Sequence, residues 1–332
     1  MSHVRMSFDE IVSLAADCLM ANGADMENAG AVARTIARAE RDGSASHGFF
    51  RLPGYVASLK SGKVNGASRP STRRLAPSSV RIDADNGYAP LALEVGIPDL
   101  VAAARETGIA VGGLVNMYHF AALWPEVEAI AENGMVGLAC TAFKPSVAPA
   151  GASRPLFGTN PMAFAWPRKG GRPVVFDMAT AAMARGEIQI AARDGHELPP
   201  GVGLDRDGNP TTDPAAVLAG VMLPFGGYKG SNLALMIELL VAALIGEQFS
   251  YEAAENDNND GGPPRGGEFL LAIDPARLGA TDSDAHAEAF FERYRALEGT
   301  RMPGDRRYRN RDAATGGIDV PQSTIDKVRA LM

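Results

Sequence analysis

His47 and Arg51 lie four positions apart and could perform acid–base chemistry on an anionic substrate. We predict that they project from one turn at a helix N-terminus. The helix dipole, unpaired N–H groups and a guanidinium together favour a carboxylate, and imidazole titrates close to neutral pH. His47 would then donate a proton beside the bound anion. The same spacing also fits a plainer arrangement, in which Ser46 caps the helix, His47 is a surface residue and Arg51 pairs with a nearby acid.

Two loops carry further candidate ligand contacts. His119 follows a β-rich run that ends at Val115, where an α/β sheet usually presents ligand-binding loops. It could contact a cofactor or substrate, or it could be a satisfied polar residue at a strand end. Thr159 lies in the turn sequence GTNP, and its hydroxyl reaches a ligand only if that turn faces the cleft.

A glycine-rich segment, residues 226–230, precedes an apolar helix predicted from about Ser231. Its glycines permit close approach, the helix start offers N–H donors and Lys229 adds a positive charge, which together suit a phosphate group. A loop with a solvated lysine fits nearly as well. Asp177-Met178-Ala179 ends another predicted strand and could bind a ribose or begin a turn. Glu187 could orient a histidine, or be an ordinary carboxylate on a helix face.

The first 65 residues read as a small helical unit that must position the His47 segment. Ser7 and Glu10 form a capping-box pattern, and apolar residues then recur on one helical face until Gly23. Further helices are predicted over about 25–42 and 49–60, with Pro53 tolerated in the first turn of the last.

From Ser79 onward, short β-rich runs alternate with helical windows, which predicts an α/β lobe. The runs are 80–83, 109–115, 136–141, 174–177 and 269–273; the windows lie near 90–107, 123–133, 182–192 and 230–246. Residues 142–173 and 192–223 look long and irregular, and the acidic stretch 255–267 reads as a surface loop. Helices near 283–297 and 320–331 end the sequence.

Composition narrows the class of protein. The 332 residues carry a formal charge of −7 with no basic run of five, which argues against nucleic-acid and membrane partners and favours a small molecule. The longest apolar stretch, 233–245, is too short to span a bilayer. Two distant cysteines and the absence of a signal pattern indicate a reducing cytoplasm. Glycine-rich Rossmann and P-loop signatures are missing, and the five histidines form no metal-binding pattern.

Six separated segments stand out together: SHGFFRLPGYVASLKSGKVN (46–65), NMYHFAALW (116–124), KPSVAPAGASRPLFGTNPMAFAWP (144–167), DMATAAMARGEIQIAARDG (177–195), TTDP (211–214) and LPFGGYKGSNLALMIELL (223–240). In this order they resemble the malate/L-lactate dehydrogenase family of the non-Rossmann type. Within that family, YHFAALW and GEIQIAARDGHELP are most similar to the Δ1-piperideine-2-carboxylate/Δ1-pyrroline-2-carboxylate reductases.

The resemblance implies a homodimer with an α/β, non-Rossmann NAD(P)H-binding fold, in which helices wrap a mostly antiparallel sheet. Residues 1–75 would form a helical N-terminal domain, with C-terminal helices over about 283–332 packed on it. Residues 76–282 would form the NADPH-binding and substrate domain.

The resemblance also assigns roles. Ser46 and His47 would form a relay with Glu187, which replaces the aspartate of these reductases, and His47 would be the proton donor. Arg51 and Thr159 would hold the substrate carboxylate. No metal is implied. The cofactor-binding residues would be His119, Phe120, Ala121, Ala122, Leu123, Asp177, Met178, Ala179 and Lys229, with Pro303 and Gly304 from the late MPG segment.

The activity implied is reduction of a cyclic 2-imino acid to L-pipecolate or L-proline, with NADPH, or NADH, delivering hydride to the carbon next to the carboxylate. Two alternatives stay open. A malate, lactate or ureidoglycolate type of 2-hydroxy-acid dehydrogenase would use the same groups on a C=O bond. A non-catalytic nucleotide-binding protein would fit the replacement of aspartate by Glu187.

Overall fold

The computed structural model describes residues 2–120, 122–279 and 282–332. The strands are β1 (His3–Met6), β2 (Ser71–Ala76), β3 (Ser79–Asp83), β4 (Ile109–Tyr118), β5 (Val136–Thr141), β6 (Met162–Trp166), β7 (Val174–Met178), β8 (Gly203–Leu204), β9 (Pro210–Thr211), β10 (Val221–Met222), β11 (Arg265–Ile273) and β12 (Ile318–Pro321). The α-helices are α1 (Phe8–Ala21), α2 (Met26–Arg41), α3 (Leu52–Lys60), α4 (Ala89–Thr107), α5 (Trp124–Glu132), α6 (Arg185–Asp194), α7 (Pro214–Ala219), α8 (Tyr228–Glu238), α9 (Ser250–Glu255), α10 (Ser283–Ala296), α11 (Asp305–Ala313) and α12 (Gln322–Arg329).

A seven-stranded sheet, in the order β2-β3-β4-β11-β5-β6-β7, forms the centre of the molecule. Within it only β3 and β4 pair in parallel, and every other neighbouring pair is antiparallel. Helices α4 and α5 cover one face through a large apolar cluster, while α8 packs on the other face near Cys140 and Phe269. The expected mixed α/β fold with a mostly antiparallel sheet is confirmed.

The N-terminal helices share a second apolar core with both ends of the chain. Strand β1 pairs with β12, and Ile325 and Val328 of α12 pack beside Ile11 of α1. The capping box at Ser7 and Glu10 is present, and Pro53 lies in the first turn of α3 as predicted. Helix α10 contacts the connection between β6 and β7 instead, where its Glu288 pairs with Arg168.

The helix predicted over 49–60 is wrong in its first turn. Two short 3₁₀ turns, Ala45–His47 and Phe49–Arg51, precede α3 and meet at Gly48. A Cβ atom at Gly48 would lie 2.1 Å from Oε1 of Glu40, which accepts a hydrogen bond from the N–H of Phe49 at 2.7 Å. The backbone therefore bends over the Glu40 carboxyl group, and His47 and Arg51 do not share one α-helical turn.

Several elements carry no strong periodic signal and were not predicted. The regions expected to be irregular contain β6 and the small sheet β10-β8-β9, whose strands are only two residues long, while β2 is too charged to alternate. Helix α11 has a strongly polar sequence, and only its Tyr308 is buried. The helix predicted over 230–246 begins earlier, at Tyr228, and continues as a π-helical segment, Leu239–Leu244.

The stretch 255–267 is more than the surface loop that the sequence suggests. The side chain of Asp257 is fully buried and accepts hydrogen bonds from Lys63 at 2.9 Å and Lys144 at 2.6 Å. Lys63 also pairs with Asp260 at 2.6 Å, and residues 265–267 belong to β11. Two lysines distant in sequence thus hold this segment against the body of the molecule. Among the described residues, no helix has the length and apolar character needed to cross a membrane.

Candidate functional site

The Ser46–Arg51 segment is the starting point of the site. Oγ of Ser46 lies 3.1 Å from Nδ1 of His47, so the hydroxyl fixes the orientation of the imidazole. Beneath the segment, burial raises the pKa of the Glu40 carboxyl to about 7, although the N–H of Phe49 opposes the shift. The 3₁₀ turns therefore rest on a carboxyl group that is partly protonated near neutral pH.

Arg51 is a half-buried cation without a counter-ion in the described ranges. Its guanidinium lies between two aromatic rings, 5.2 Å from the centroid of Phe50 and 5.0 Å from that of Phe120. Its Nε atom is buried and has no hydrogen-bond partner among the residues described. Burial lowers the pKa of Arg51, which nonetheless stays charged. A buried, unpaired guanidinium is costly unless an anion binds to it.

Arg185 is a second cation that sequence reasoning missed. It begins α6, its guanidinium is largely buried, and its positive charge contributes to lowering the pKa of Arg51. The next residue, Gly186, brings α6 close: a Cβ atom there would lie 3.0 Å from Cβ of Ser46 and 3.3 Å from Nη2 of Arg51. The Arg-Gly pair at the start of a helix was the available signal, because a glycine there permits close approach.

Glu187, the proposed acid of the relay, follows Gly186 in the first turn of α6. That turn contacts Ser46, but the Glu187 side chain is exposed. Its role in the relay stays a prediction.

Backbone hydrogen bonds bring Thr159 and the glycine-rich segment together. Thr180 donates to the carbonyl of Thr159 from its N–H at 2.9 Å and from its hydroxyl at 3.0 Å. The Thr180 carbonyl in turn accepts from the N–H of Phe225 at 3.0 Å. Gly226 and Gly227 have φ of +55° and +61°, which favour glycine, and Lys229 is exposed in the first turn of α8.

In the predicted cofactor segment, most side chains that the structure describes are buried. His119 is 4% exposed, and Ala122 and Leu123 are buried too. Asp177 is also turned inward: its Oδ2 accepts from the N–H groups of Leu123 at 2.8 Å and Trp124 at 3.1 Å, at the start of α5. Burial raises the pKa of Asp177 to about 6. Ala121 lies outside the described residues.

Met178, the last residue of β7, is exposed, and the next residue, Ala179, is half-buried. Pro303 and Gly304 lie toward the other end of β7, where Gly304 packs against the backbone of Val175. A cleft of about 250 Å³ there is lined by Pro303 and by three arginines, Arg168, Arg172 and Arg295. Among the described residues, no group of three or more His, Cys, Asp or Glu side chains is placed to hold a metal ion.

Comparison with known proteins identifies one family over nearly the whole length of the chain. The model of the malate/L-lactate dehydrogenase family matches residues 6–329. The chain is 48% identical to the Δ1-pyrroline-2-carboxylate reductase of Ancylobacter novellus, over 99% of this chain and 97% of that protein. It is 40% identical to the NADP⁺-dependent (2R)-3-sulfolactate dehydrogenase of Chromohalobacter salexigens, over 98% and 97% of the two chains. The crystal structure of Δ1-piperideine-2-carboxylate reductase from Pseudomonas syringae pv. tomato superposes with a TM-score of 0.95, at 42% identity, covering 99% of this chain and 100% of that one.

Proposed function

The chain belongs to the malate/L-lactate dehydrogenase family, and we propose that it reduces cyclic 2-imino acids, Δ1-piperideine-2-carboxylate and Δ1-pyrroline-2-carboxylate, to L-pipecolate and L-proline. The observation that supports this most is the half-buried Arg51 guanidinium, which has no ion-pair partner within the described residues, whose Nε is buried without a hydrogen-bond partner, and which lies close to Ser46 and the start of α6. A substrate carboxylate is the counter-ion that such a group lacks.

The chain's own residues would divide the work on the imine. Arg51 and Arg185, with Thr159, would hold the carboxylate and fix the ring in one orientation. His47, oriented by Ser46, would donate a proton to the ring nitrogen as the C=N bond is reduced, which makes the neighbouring carbon electrophilic. Glu187 would act on this relay from the first turn of α6.

A nicotinamide nucleotide is the cofactor that the site fits, with NADPH preferred and NADH possible. Lys229 is exposed above a glycine turn at the start of α8, which suits a phosphate group. The cleft at Pro303 contains three arginines, of which Arg168 and Arg172 are paired with Glu288 and Asp312, so Arg295 is its candidate for a second phosphate. The backbone of residues 119, 120, 122, 123 and 177–179 would line the path between them. When bound, the cofactor supplies the hydride.

We further propose the finer organisation that the family implies. The α/β lobe, residues 76–282, would bind NADPH through its own non-Rossmann fold, and residues 1–75 with the C-terminal helices would form the smaller domain. Exposed apolar residues on α8 and its π-helical extension, Leu235, Leu239 and Leu244, support a homodimer interface. Cys18 and Cys140 are both free and buried, which agrees with the reducing cytoplasm as the location.

A 2-hydroxy-acid dehydrogenase is the second candidate. A specific observation favours it: Arg185 adds a second largely buried cation beside Arg51, and one relative carrying that kind of activity acts on a sulfonated hydroxy acid. A substrate with two anionic groups would use both guanidinium groups.

Substrate comparison tests the proposal. We would follow NADPH oxidation with each cyclic imine, and with pyruvate, oxaloacetate and sulfopyruvate. We expect kcat/KM to be at least tenfold higher for a cyclic imine, and His47→Ala to lose at least 100-fold in kcat, at the scale of proton-transfer catalysis, with NADPH binding by fluorescence unchanged. Preference for a 2-keto acid would establish the second candidate, and binding of NADPH without any turnover would establish a nucleotide-binding protein.

A further inference from the structure

A chain of buried polar groups leads away from the Arg51 pocket into the α/β lobe. The N–H of Phe120 donates to the hydroxyl oxygen of Tyr55 at 3.4 Å, and that hydroxyl lies 3.4 Å from Nδ1 of His119. Nε2 of His119 lies 3.6 Å from Oε1 of Glu126. Tyr55, His119 and Glu126 are 2%, 4% and 4% exposed, so no link is open to bulk water.

The hydroxyl oxygen of Tyr55 accepts from Phe120 and its proton can be donated to Nδ1 of His119. In the tautomer whose Nδ1 accepts this hydrogen bond, Nε2 carries the ring proton and faces the Glu126 carboxyl group. Neither Nε2 of His119 nor Oε2 of Glu126 has a hydrogen-bond partner in the described part of the chain. The 3.6 Å approach to Oε1 of Glu126 is therefore the polar contact recorded for Nε2 within those residues.

The near end of this series of buried polar groups reaches the substrate pocket through Phe120. Its ring packs edge-on against Tyr55, with centroids 5.3 Å apart, and supports the Arg51 guanidinium at 5.0 Å. Tyr55 is held from below, because the Tyr88 hydroxyl donates to its carbonyl at 2.6 Å. Any rotation of Phe120 would move the surface on which Arg51 rests.

Two more buried acids surround the far end. Glu268, on β11, is fully buried and neither carboxyl oxygen has a hydrogen-bond partner within the described ranges; Asp177 caps α5. Burial, with Glu126 and Asp177 nearby, raises the pKa of Glu268 well above its ordinary range. Burial and the two neighbouring carboxyl groups thus favour the protonated form of Glu268, which limits the negative charge of the cluster.

We propose that Glu126 is a positioning residue of the site, which orients Phe120 through His119 and Tyr55 and so holds Arg51 in place for the substrate carboxylate. This inference rests on the proposed function for its kinetic consequence. Its structural part, the support of Arg51, holds for any carboxylate ligand.

Glu126→Gln tests the proposal, with Glu132→Gln, an exposed acid on the same helix, as the matched control. An amide keeps the shape but removes the charge that faces Nε2 of His119. We expect the imino-acid KM to rise about tenfold, which is the size of loss expected when a buried polar pair is broken. We expect kcat to stay within about threefold of wild type. The dissociation constant of 2-furoate, an unreactive ring carboxylate, should rise by the same factor in calorimetry.

Tyr55→Phe supplies a second, independent variant because it deletes the middle link and keeps the ring. It should reproduce the rise in the 2-furoate constant, and the double variant Tyr55→Phe/Glu126→Gln should lose no more than either single variant. The proposal is overturned if 2-furoate binding is unchanged in both single variants, if only kcat or NADPH binding changes, or if the two losses multiply. Should the wild type bind 2-furoate but reduce no imine, the proposed function fails while this test still stands.

Discussion

At the residue scale, the pocket is defined by two guanidinium groups that face no carboxylate within the described residues. Arg51 could be predicted from sequence because a histidine precedes it by four positions, a spacing that suggests a joint role. Arg185 was missed because its importance comes from packing: Gly186 lets α6 approach Ser46, and the Arg-Gly pair is the one local trace of that contact in the sequence. Glu126 could not be predicted from sequence. Its partners are far from it along the chain or are residues of common types that no motif marks.

Arg185→Met should weaken substrate binding while leaving the proton-transfer step intact. Methionine keeps much of the apolar stem and removes one of two cations near the carboxylate. We expect the KM of the imino acid to rise about tenfold, or by about 1.4 kcal/mol, with little change in kcat. Steady-state kinetics measure this, with Arg193→Met, at the exposed end of the same helix, as control. An unchanged KM would place Arg185 outside the binding site.

Glu40 should make stability depend on pH. Its folded pKa, about 7, lies above the ordinary value near 4.5, so its contribution is fully present below pH 4.5 and is lost as pH rises through 7. The loss amounts to about 3 kcal/mol by linkage. Glu40→Gln keeps the acceptor for Phe49 and removes the titration.

The free energy of unfolding, measured in urea from pH 5 to 8, should therefore decline less steeply for Glu40→Gln than for wild type. The free energy of unfolding of the variant, taken relative to that of wild type, should be higher at pH 8 than at pH 5. Glu298→Gln, which changes an exposed acid, should follow the wild-type curve. Parallel curves for wild type and Glu40→Gln would show that the Glu40 carboxyl is ionised throughout.

At the scale of elements, periodic segments were predicted well and segments defined by long-range partners were not. Helices α1, α2 and α4 and strand β5 follow their apolar patterns to within a few residues. The two 3₁₀ turns before α3 depend on Glu40, nine residues before Phe49 along the chain, so helical spacing alone misplaced them. The segment 255–267 looked like a solvated loop because its acidic residues carry no mark of the two lysines that bind them.

Asp257→Asn should destabilise the protein because it leaves Lys144 facing a neutral group, while Lys63 keeps its pair with Asp260. Breaking a buried ion pair costs about 3–5 kcal/mol, so we expect the free energy of unfolding to fall by an amount of that order. Asp312→Asn is the matched control, since its pair with Arg172 is exposed and should be worth less than about 1 kcal/mol. Equal effects in the two variants, measured by urea denaturation, would contradict the role given to Asp257.

At the scale of the whole molecule, the sheet brings together residues that are far apart in sequence. Arg51 comes from the helical N-terminal region, Phe120 follows β4, and Arg185 follows β7. The Arg51 guanidinium nevertheless packs on the Phe120 ring, and the charge of Arg185 is close enough to lower the pKa of Arg51. The resemblance to a family assigned Arg51 and Phe120 to one site but did not include Arg185, whereas composition and periodicity predicted only the class of fold. Sheet order and the single parallel pair of strands lay beyond both.

The apolar face of α8 predicts a dimer. Leu239 and Leu244 are 49% and 64% exposed, which is unfavourable for a face open to water. Light scattering after size exclusion should give twice the 34.8 kDa of the chain, and Leu239→Glu/Leu244→Glu should shift it toward the monomer. Leu75→Glu, at an exposed leucine on β2, should leave the mass unchanged. A wild-type mass of one chain at micromolar concentration would disprove the dimer.

The most direct test of the central claim is a crystal structure with NADPH and 2-furoate bound. The claim is that Arg51 and His47 face one pocket in which a ring carboxylate meets the cofactor. The account predicts the carboxylate within hydrogen-bond distance of both Arg51 and Arg185, with the heteroatom of the ring next to His47. A carboxylate bound away from Arg51, or a His47 separated from the ring by other side chains, would contradict it.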